Sequence, residues 1–186
     1  MTGHHGLLLA AGSGTRMGKP KALMRDSDDR SWLTRTVTVL EEAGCDPVTV
    51  VLGAAADEAA PLLASTGAAV VVAEDFAEGM SASLRAGLRA IAGSDAVAAV
   101  VMLVDLPDVT AEVVRHVAMR VTRPDQLARA SYAGRPGHPV VIGRDHWAAV
   151  ADSVSGDQGA RDYLASHGVV DVDCAHLATG RDRDRP

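Results

Sequence analysis

The sequence predicts an α/β fold, in three layers, with a doubly wound and mostly parallel sheet that carries a small antiparallel excursion. One observation is a set of short apolar runs without polar alternation, which is typical of parallel strands covered by helices on both faces. These runs are residues 6–11, 48–52, 68–73 and 97–104. Another is that helical stretches separate them, and this order favours right-handed crossovers within one sheet.

The helices between these strands are predicted from the spacing of their apolar residues. Leu84, Leu88 and Ile91 recur at i, i+4 and i+7, which places their side chains on one face of a helix. Thr110 is a suitable N-cap for the last of these helices. The helices predicted in this part of the chain are residues 32–43, 54–64, 81–92 and 111–121.

The pattern changes after Pro124. Residues 126–132 and 139–142 flank the sequence AGRPGH, which predicts two antiparallel strands joined by a turn rich in glycine and proline. Two short helices, residues 145–151 and 158–167, and a strand, residues 169–172, are expected to follow. The charged tail, residues 180–186, is expected to be solvated. A chain of 186 residues fits one domain, so residues 1–186 are predicted to form a single unit.

The composition excludes several classes of protein. There are 18 basic and 24 acidic residues, for a net charge of −6, which argues against nucleic-acid binding through a basic face. Cys45 and Cys174 lie far apart without metal-ligand spacing, so reduced, buried thiols and a cytoplasmic protein are expected. The apolar runs are too short for a signal core or a membrane span. His4 and His5 are expected to be solvated residues near the chain end.

The first strand is followed by a glycine-rich loop within the sequence LLLAAGSGTRMGKPK. Its third glycine is one residue too late for the dinucleotide fingerprint, and the proline after GK excludes the Walker loop. Glycines nevertheless allow backbone N–H groups to face an anion, and Arg16 and Lys21 add cationic donors. The loop therefore indicates a phosphate site at the carboxyl edge of the sheet. The alternative is a tight strand-to-helix turn with solvated basic residues.

Two further segments are predicted to end at this same edge. In VVMLVDLPD, Asp105 directly follows a buried strand, where a carboxylate can hold Mg²⁺ together with substrate phosphates. The alternative is a turn aspartate, a role that Asp108 fits better. In EGMSASLRAGL, Ser81 and Ser83 begin a helix, so free N–H groups and hydroxyls are expected at the same edge. Taken alone, this last pattern is more typical of a helix cap.

Together, five segments resemble the MobA-like NTP transferase family, whose members have a fold like that of the nucleotide-diphospho-sugar transferases. They are LAAGSGTRMGKPK, GMSASLRAGL, VDLPD, GRPGHPV and GDQGAR, and they span residues 9–161 in the order found in the family. The GMSASLRAGL and GHPV segments are most similar to the molybdenum cofactor cytidylyltransferase branch. The resemblance implies transfer of a nucleoside monophosphate to a phosphorylated acceptor, with release of pyrophosphate.

The resemblance also implies roles for individual residues. The catalytic residues would be Arg16, Lys21 and Asp105, with Asp105 as the ligand of Mg²⁺. An AAG start goes with CTP in this family, whereas AGG goes with GTP. The acceptor would be a molybdopterin-type compound bound by His138, Asp157 and Arg161, and a molybdoenzyme would then receive the cofactor. The alternative for Arg161 in GDQGAR is that it only pairs with Asp157 on one helix face. The implied nucleotide-binding residues are Ala10, Ala11, Gly12, Ser13, Gly14, Ser81 and Ser83.

The sequence departs from the family pattern after Lys21, where relatives have a short glycine turn. Here Asp26, Asp28 and Asp29 form an acidic cluster that is predicted to lie near the triphosphate loop. Near the C-terminus, Asp182 and Asp184 match an Asp-x-Asp-x-Pro segment in which relatives place a second carboxylate near the metal. A solvated end with alternating charge is the favoured interpretation of that segment.

Two other functions remain open. Some relatives are described as nicotine blue oxidoreductases, which would use NAD(P)H, although the dinucleotide spacing is missing from this sequence. A non-catalytic module that binds the cofactor is the other, and the acidic cluster after Lys21 is its main support.

Overall fold

A computed structural model describes residues 3–14 and 18–183, and in this part of the chain seven strands form one sheet. The strand order is β3-β2-β1-β4-β6-β5-β7. Strand β6 is antiparallel to both of its neighbours, and the other paired strands are parallel. The strands are β1 His4–Ala10, β2 Cys45–Leu52, β3 Ala69–Val72, β4 Ala98–Leu103, β5 Leu127–Tyr132, β6 Arg135–Gly143 and β7 Val170–Asp173. The predicted mostly parallel sheet with an antiparallel excursion is confirmed.

Helices cover both faces of the sheet and complete three layers. The α-helices are α1 Trp32–Glu42, α2 Ala56–Ala59, α3 Met80–Ala90, α4 Ala111–Ala118, α5 Trp147–Ser153 and α6 Arg161–Ser166. Alternate residues of β1 belong to two separate hydrophobic cores, because successive side chains of a strand point to opposite faces of the sheet. Leu8 packs in the core beneath α1 and α4, and Leu7 packs in the core beneath α3 and α5. No helix in the described ranges is long and apolar enough to cross a membrane.

The helix predicted over residues 54–64 is wrong in length and type. Only α2 is α-helical, and a 3₁₀ turn follows it at Ala60–Leu63. Pro61 lies at the start of this turn, where its missing N–H and its ring disfavour continuation of an α-helix. Strand β3 also differs from the expectation of cover on both faces, since Val70 is 40% exposed and Val72 is 52% exposed. It is the last strand at one side of the sheet.

The antiparallel excursion has a shorter turn than predicted. Ala133 and Gly134 alone join β5 to β6, with φ angles of 50° and 78°. Two residues with positive φ make the tight type of hairpin turn that matches the twist of antiparallel strands. Most of the sequence AGRPGH therefore belongs to β6, which carries His138 as one of its own residues.

The expectation that His4 and His5 are solvated is wrong. His5 is 5% exposed, and its ring nitrogens lie 2.9 Å from Thr49 Oγ1 and 3.2 Å from Ser94 Oγ. Burial lowers the pKa of His5, with Asp46 acting in the opposite direction. His4 is half-buried, and its Nε2 lies 2.9 Å from the carbonyl oxygen of Val121. Both residues belong to a central strand.

Candidate active site at the carboxyl edge of the sheet

The pairing of β1 with β4 brings two of the predicted segments together. The two strands are parallel neighbours, with Leu9 opposite Leu103, so both strands end at the same edge of the sheet. A cavity of about 630 Å³ opens there between the glycine loop and the end of β4. The predicted site residues that line this cavity are Ala10, Ala11, Gly12, Ser13, Gly14, Lys21, Ser83, Asp105 and Asp157. Arg16, which was also predicted to act here, lies outside the described residues, as does Asp184 of the C-terminal segment.

Two glycines of the loop have different roles. Gly14 has a φ of +62°, and a Cβ atom at this position would collide with the backbone of Lys19. A Cβ atom at Gly12 would meet nothing within 4 Å. Gly14 thus allows the chain to fold back on itself, whereas Gly12 leaves its backbone open to a close approach from the cavity.

Asp105 is a buried carboxylate with one oxygen paired and one unpaired. The residue is 6% exposed, and its Oδ2 accepts a hydrogen bond of 2.5 Å from Lys21 Nζ. Its Oδ1 is fully buried and has no hydrogen-bond partner within the described ranges. A buried carboxylate oxygen without a partner is costly, and a hard cation is the kind of ligand that would satisfy it. Arg35 braces the next turn by donating to the carbonyl oxygens of Leu106 and Pro107.

The donor set fits a metal that relies on its substrate for ligands. Among the residues that the structure describes, no three His, Cys, Asp or Glu side chains are grouped to hold a metal. Mg²⁺ is commonly bound by one or two carboxylates together with phosphate oxygens and water. Asp105 at the mouth of an anion-binding loop fits that arrangement.

The C-terminal segment returns to this site, which was not expected of a solvated end. The side chains of Arg181, Asp182 and Arg183 are exposed. However, the backbone N–H of Arg183 donates to the carbonyl oxygen of Asp105 at 2.9 Å. Because Asp182 precedes Arg183, this bond also brings Asp182 to the edge where the cavity opens.

A second attachment fixes the start of this segment. Both the backbone N–H and the hydroxyl of Thr179 donate to Asp108 Oδ2 at 2.6 Å. Gly180, with a φ of +62°, packs so closely on the Tyr132 ring that a Cβ atom would collide with it. Asp108 therefore secures the C-terminal segment, where a turn or capping residue was predicted.

The acidic cluster after Lys21 is folded onto itself. Asp26 Oδ1 accepts hydrogen bonds of 2.9 Å from the backbone N–H groups of both Asp28 and Arg30. The bond from Arg30 is the main reason that the pKa of Asp26 lies below its usual value. Asp29 pairs with Arg25 at 3.6 Å. None of the three carboxylates lines the described cavity.

A second cavity of about 300 Å³ adjoins the first, with Leu9, Met80 and Asp157 common to both. Its walls are mainly apolar, and its polar lining includes the three residues predicted for the acceptor: His138, Asp157 and Arg161. His138 is half-buried and lines this cavity. Burial lowers the pKa of His138 to about 4, against the opposing effect of Asp105. The imidazole is therefore neutral at pH 7.

The first residue of α3, Met80, lines both cavities. The backbone N–H of Ser81 donates to the carbonyl oxygen of Gly156 at 3.1 Å, which ties α3 to the GDQGAR loop. Gly79 has a φ of +102° and is packed against Asp157. Ser81 is 1% exposed and lines neither cavity, although it was predicted to do so alongside Ser83. Its backbone instead connects α3 to the GDQGAR loop.

Sequence reasoning missed one charged residue of the second cavity. Arg129 lies on β5 and lines this cavity, and its Nε donates to Asp171 Oδ1 at 2.5 Å. The signal was present, because an arginine in the otherwise buried strand LARASY needs an explanation.

A doubly wound sheet with a glycine loop and a buried aspartate at one carboxyl edge is the architecture of a nucleotidyltransferase-like protein. The chain belongs to the family of MobA-like NTP transferase domains, which matches residues 6–172.

Individual relatives support this membership. The chain is 35% identical over 189 residues to the nicotine blue oxidoreductase of Paenarthrobacter nicotinovorans, covering 96% of this chain and 91% of that protein. Rv0371c from Mycobacterium tuberculosis H37Rv has a solved structure with a TM-score of 0.82 and 30% identity, over 100% of this chain and 95% of that one. A structure of Rv0371c in complex with manganese has a TM-score of 0.76 at 30% identity, over 92% and 88%.

A more distant structure shares the fold alone. The molybdopterin-guanine dinucleotide biosynthesis protein A of Archaeoglobus fulgidus has a TM-score of 0.67 at 17% identity, over 98% of this chain and 93% of that one.

Proposed function

We propose that the protein is a nucleotidyltransferase that transfers CMP from CTP to a phosphorylated acceptor of the molybdopterin type. In this reaction an oxygen of the acceptor phosphate attacks the α-phosphorus of CTP. The bond between the α- and β-phosphates breaks, and pyrophosphate leaves with the electron pair. Such chemistry needs positioning and stabilisation of charge, and it needs no covalent nucleophile from the protein.

The observation that carries this proposal is the buried carboxylate of Asp105 across the cavity from the glycine loop. Its unpaired Oδ1 supports a role as the ligand of Mg²⁺, and the structure of Rv0371c in complex with manganese supports the use of a divalent cation. When bound, Mg²⁺ would neutralise charge on the triphosphate. Lys21, which already contacts Asp105, would add a cationic donor to the same phosphates.

The nucleotide would occupy the first cavity. Backbone N–H groups of residues 10–14 would face the triphosphate, and Arg16 would contribute a guanidinium from the adjoining part of the loop. The base assignment rests on Ala10-Ala11-Gly12, the start that goes with CTP in this family. Ser83, which lines the same cavity, would donate a hydrogen bond to the nucleotide.

The acceptor would occupy the second cavity. Because the two cavities share Asp157, a molecule bound beside His138 and Arg161 could reach the α-phosphate with its own phosphate. The neutral His138 ring would provide one donor and one acceptor without changing the charge of the site. A molybdoenzyme that receives the product would be the partner that follows.

Release of pyrophosphate from CTP, Mg²⁺ and purified molybdopterin tests the proposal directly. Asp105→Asn should reduce the rate at least 100-fold, because the amide cannot replace a charged metal ligand. Asp125→Asn, which changes an exposed carboxylate outside both cavities, is the matched control. Equal melting temperatures of the variants would show that the loss is chemical. A folded Asp105→Asn protein with nearly the original rate would refute the role of Asp105.

The 35% identity to a nicotine blue oxidoreductase favours a second candidate, reduction of a quinonoid compound by NAD(P)H. The loop lacks the spacing that dinucleotide sites use. Oxidation of NADPH by a quinonoid dye, measured at 340 nm, tests this candidate; turnover of the dye together with no pyrophosphate release would favour it. A purely binding function is a third candidate, and neither pyrophosphate release nor oxidation of NADPH would favour it.

A further inference from the structure

We infer that Arg129 determines the specificity of the second cavity, and that this cavity takes a largely apolar molecule with an anionic group at the end remote from the nucleotide loop. Its place in the reaction rests on the proposed function, in which this cavity holds the acceptor. The anionic group is additional to the phosphate that reacts, and the position of Arg129 in the sheet is the reason.

Arg129 is a largely buried arginine. Its only hydrogen-bonding partner in the described ranges is Asp171, which lies at the surface. The Arg129 side chain is 14% exposed, whereas the Asp171 side chain is 52% exposed. The contact uses Nε, so the two terminal nitrogens keep their N–H donors. Neither of these nitrogens is among the fully buried atoms that lack a partner. Since Arg129 lines the second cavity, this cavity is where a ligand would meet the remaining donors.

These donors favour an anionic ligand. An arginine has five N–H donors in a planar fork that matches carboxylate or phosphate oxygens, and donors in an apolar setting cost free energy when they stay unpaired. Asp171 is exposed to solvent, which weakens its hold on the guanidinium. The cavity wall next to Arg129 is formed by apolar residues such as Val140, Ile142 and Leu164. A ligand that fills this space needs an anionic group only at the arginine.

The two cavities differ in the charged side chains that line them. Arg129 and Arg161 line only the second cavity, while Asp157 lines both. His138 adds no positive charge, because burial lowers its pKa to about 4. The permanent positive charge of the second cavity is therefore carried by the two arginines, away from the glycine loop.

The sheet register separates Arg129 from the reacting phosphate. Arg129 is opposite Val140, and Val140 is opposite Val101. Strand β4 ends at Leu103, and Asp105 lies in the turn that follows, four residues after Val101. Two strand spacings of about 4.8 Å each separate the backbone of Arg129 from that of Val101 across the sheet. Arg129 is thus two strands away from β4 and level with Val101, before the end at which Asp105 lies, so the group that it binds is separate from the phosphate that reacts.

Binding of three naphthalene probes to the full chain, without nucleotide or metal, tests the inference by calorimetry. The probes are 2-naphthoate and 2-naphthyl phosphate, which are anionic, and 2-naphthamide, which is neutral but of similar shape. The protein should bind at least one anion ten-fold or more tightly than the amide. Tighter binding of the phosphate would identify a phosphate group, and tighter binding of 2-naphthoate a carboxylate.

Two variants of Arg129 and one control assign that preference to a residue. Arg129→Gln should abolish it, whereas Arg129→Lys, which keeps the charge but loses the fork, should retain a smaller preference. The control Arg123→Gln removes an arginine from an exposed pair outside both cavities and should change nothing. The inference is overturned if the protein does not distinguish anions from the amide, or if folded Arg129→Gln keeps the full preference.

Failure of the inference and failure of the proposed function have different signatures. Arg129 does not line the first cavity, so Arg129→Gln should bind CTP with Mg²⁺ as the unaltered protein does. If anion preference depends on Arg129 but no pyrophosphate is ever released, the inference stands and the proposed reaction fails. If pyrophosphate is released and anions are not preferred, the inference alone is wrong.

Discussion

At the scale of single residues, the pairing of Lys21 with Asp105 explains how a carboxylate can be kept inside the protein. The two residues are 84 positions apart in the sequence and 2.5 Å apart in space. Lys21 is 22% exposed at its side chain and Asp105 is 8% exposed, so the carboxylate is the more deeply buried partner. A buried charge is tolerated only when an opposite charge or hydrogen bonds compensate it.

This asymmetry predicts unequal effects of removing either partner. Lys21→Met should lower the free energy of unfolding by about 1–3 kcal/mol, because it leaves the buried carboxylate without its cation. Asp105→Asn should cost less, since a partly exposed ammonium group can turn to water. The double variant should be more stable than Lys21→Met alone. Urea unfolding at pH 7 measures all three, and strictly additive effects would show that the pair does not interact.

His138 makes a second prediction at this scale, for stability against pH. Its pKa in the folded protein is about 4, below the ordinary value of 6.5. Between these two values the unfolded chain binds more protons than the folded protein, so stability rises with pH and is lost as pH falls from about 6.5 to about 4. His138→Gln should flatten this part of the unfolding curve by close to one proton. Identical slopes for the variant and the original protein would contradict the assignment.

At the scale of elements, the glycine loop contains one glycine that its backbone conformation requires, Gly14, and one that leaves space for a ligand, Gly12. Gly14→Ala should destabilise the protein by about 1–2 kcal/mol, because its positive φ and the nearby Lys19 backbone leave no room for a methyl group. Gly12→Ala should leave stability within about 0.5 kcal/mol, since nothing lies within 4 Å of the added atom.

The two substitutions should also differ in nucleotide binding. If the triphosphate lies against the backbone at Gly12, the added methyl group should weaken CTP binding at least ten-fold while the melting temperature stays the same. Calorimetry with CTP and Mg²⁺ measures this. Unchanged affinity of Gly12→Ala would place the nucleotide elsewhere in the cavity.

Elements were predicted well where local pattern decides them and less well where their neighbours do. Apolar runs located the four parallel strands of the first half, because a run of aliphatic residues indicates burial. The same run at β3 carries no information about strand order, so its exposed edge position was not predicted. The β5–β6 turn was predicted too long because two residues with positive φ, one of them Ala133, left RPGH free to extend the strand.

At the scale of the whole molecule, the site combines segments from both ends of the chain. The glycine loop and Asp105 were predicted to meet because strands in a parallel sheet end at one edge, whereas the GDQGAR loop was placed near them by the resemblance to the family alone. The resemblance offered a place near the metal for Asp182 and Asp184, but a solvated end was favoured because a run of alternating charges has no periodicity that indicates a docking surface. The contacts of this segment with Asp105 and Asp108 differ from that favoured interpretation. The contact of Lys21 with Asp105 and the position of Arg129 likewise depend on the register between strands.

The preference for one base is a property of this whole assembly and can be measured without the acceptor. Thermal unfolding with Mg²⁺ and each of CTP, GTP, ATP and UTP should show a rise in stability with CTP alone, of about 2.7 kcal/mol at 100 times its dissociation constant. Asp105→Asn should reduce the rise if the metal is bound with the nucleotide, whereas Arg129→Gln should not. A rise with GTP alone would reverse the base assignment made from Ala10-Ala11-Gly12. No rise with any of the four would leave the glycine loop without a nucleoside triphosphate and refute the proposed reaction.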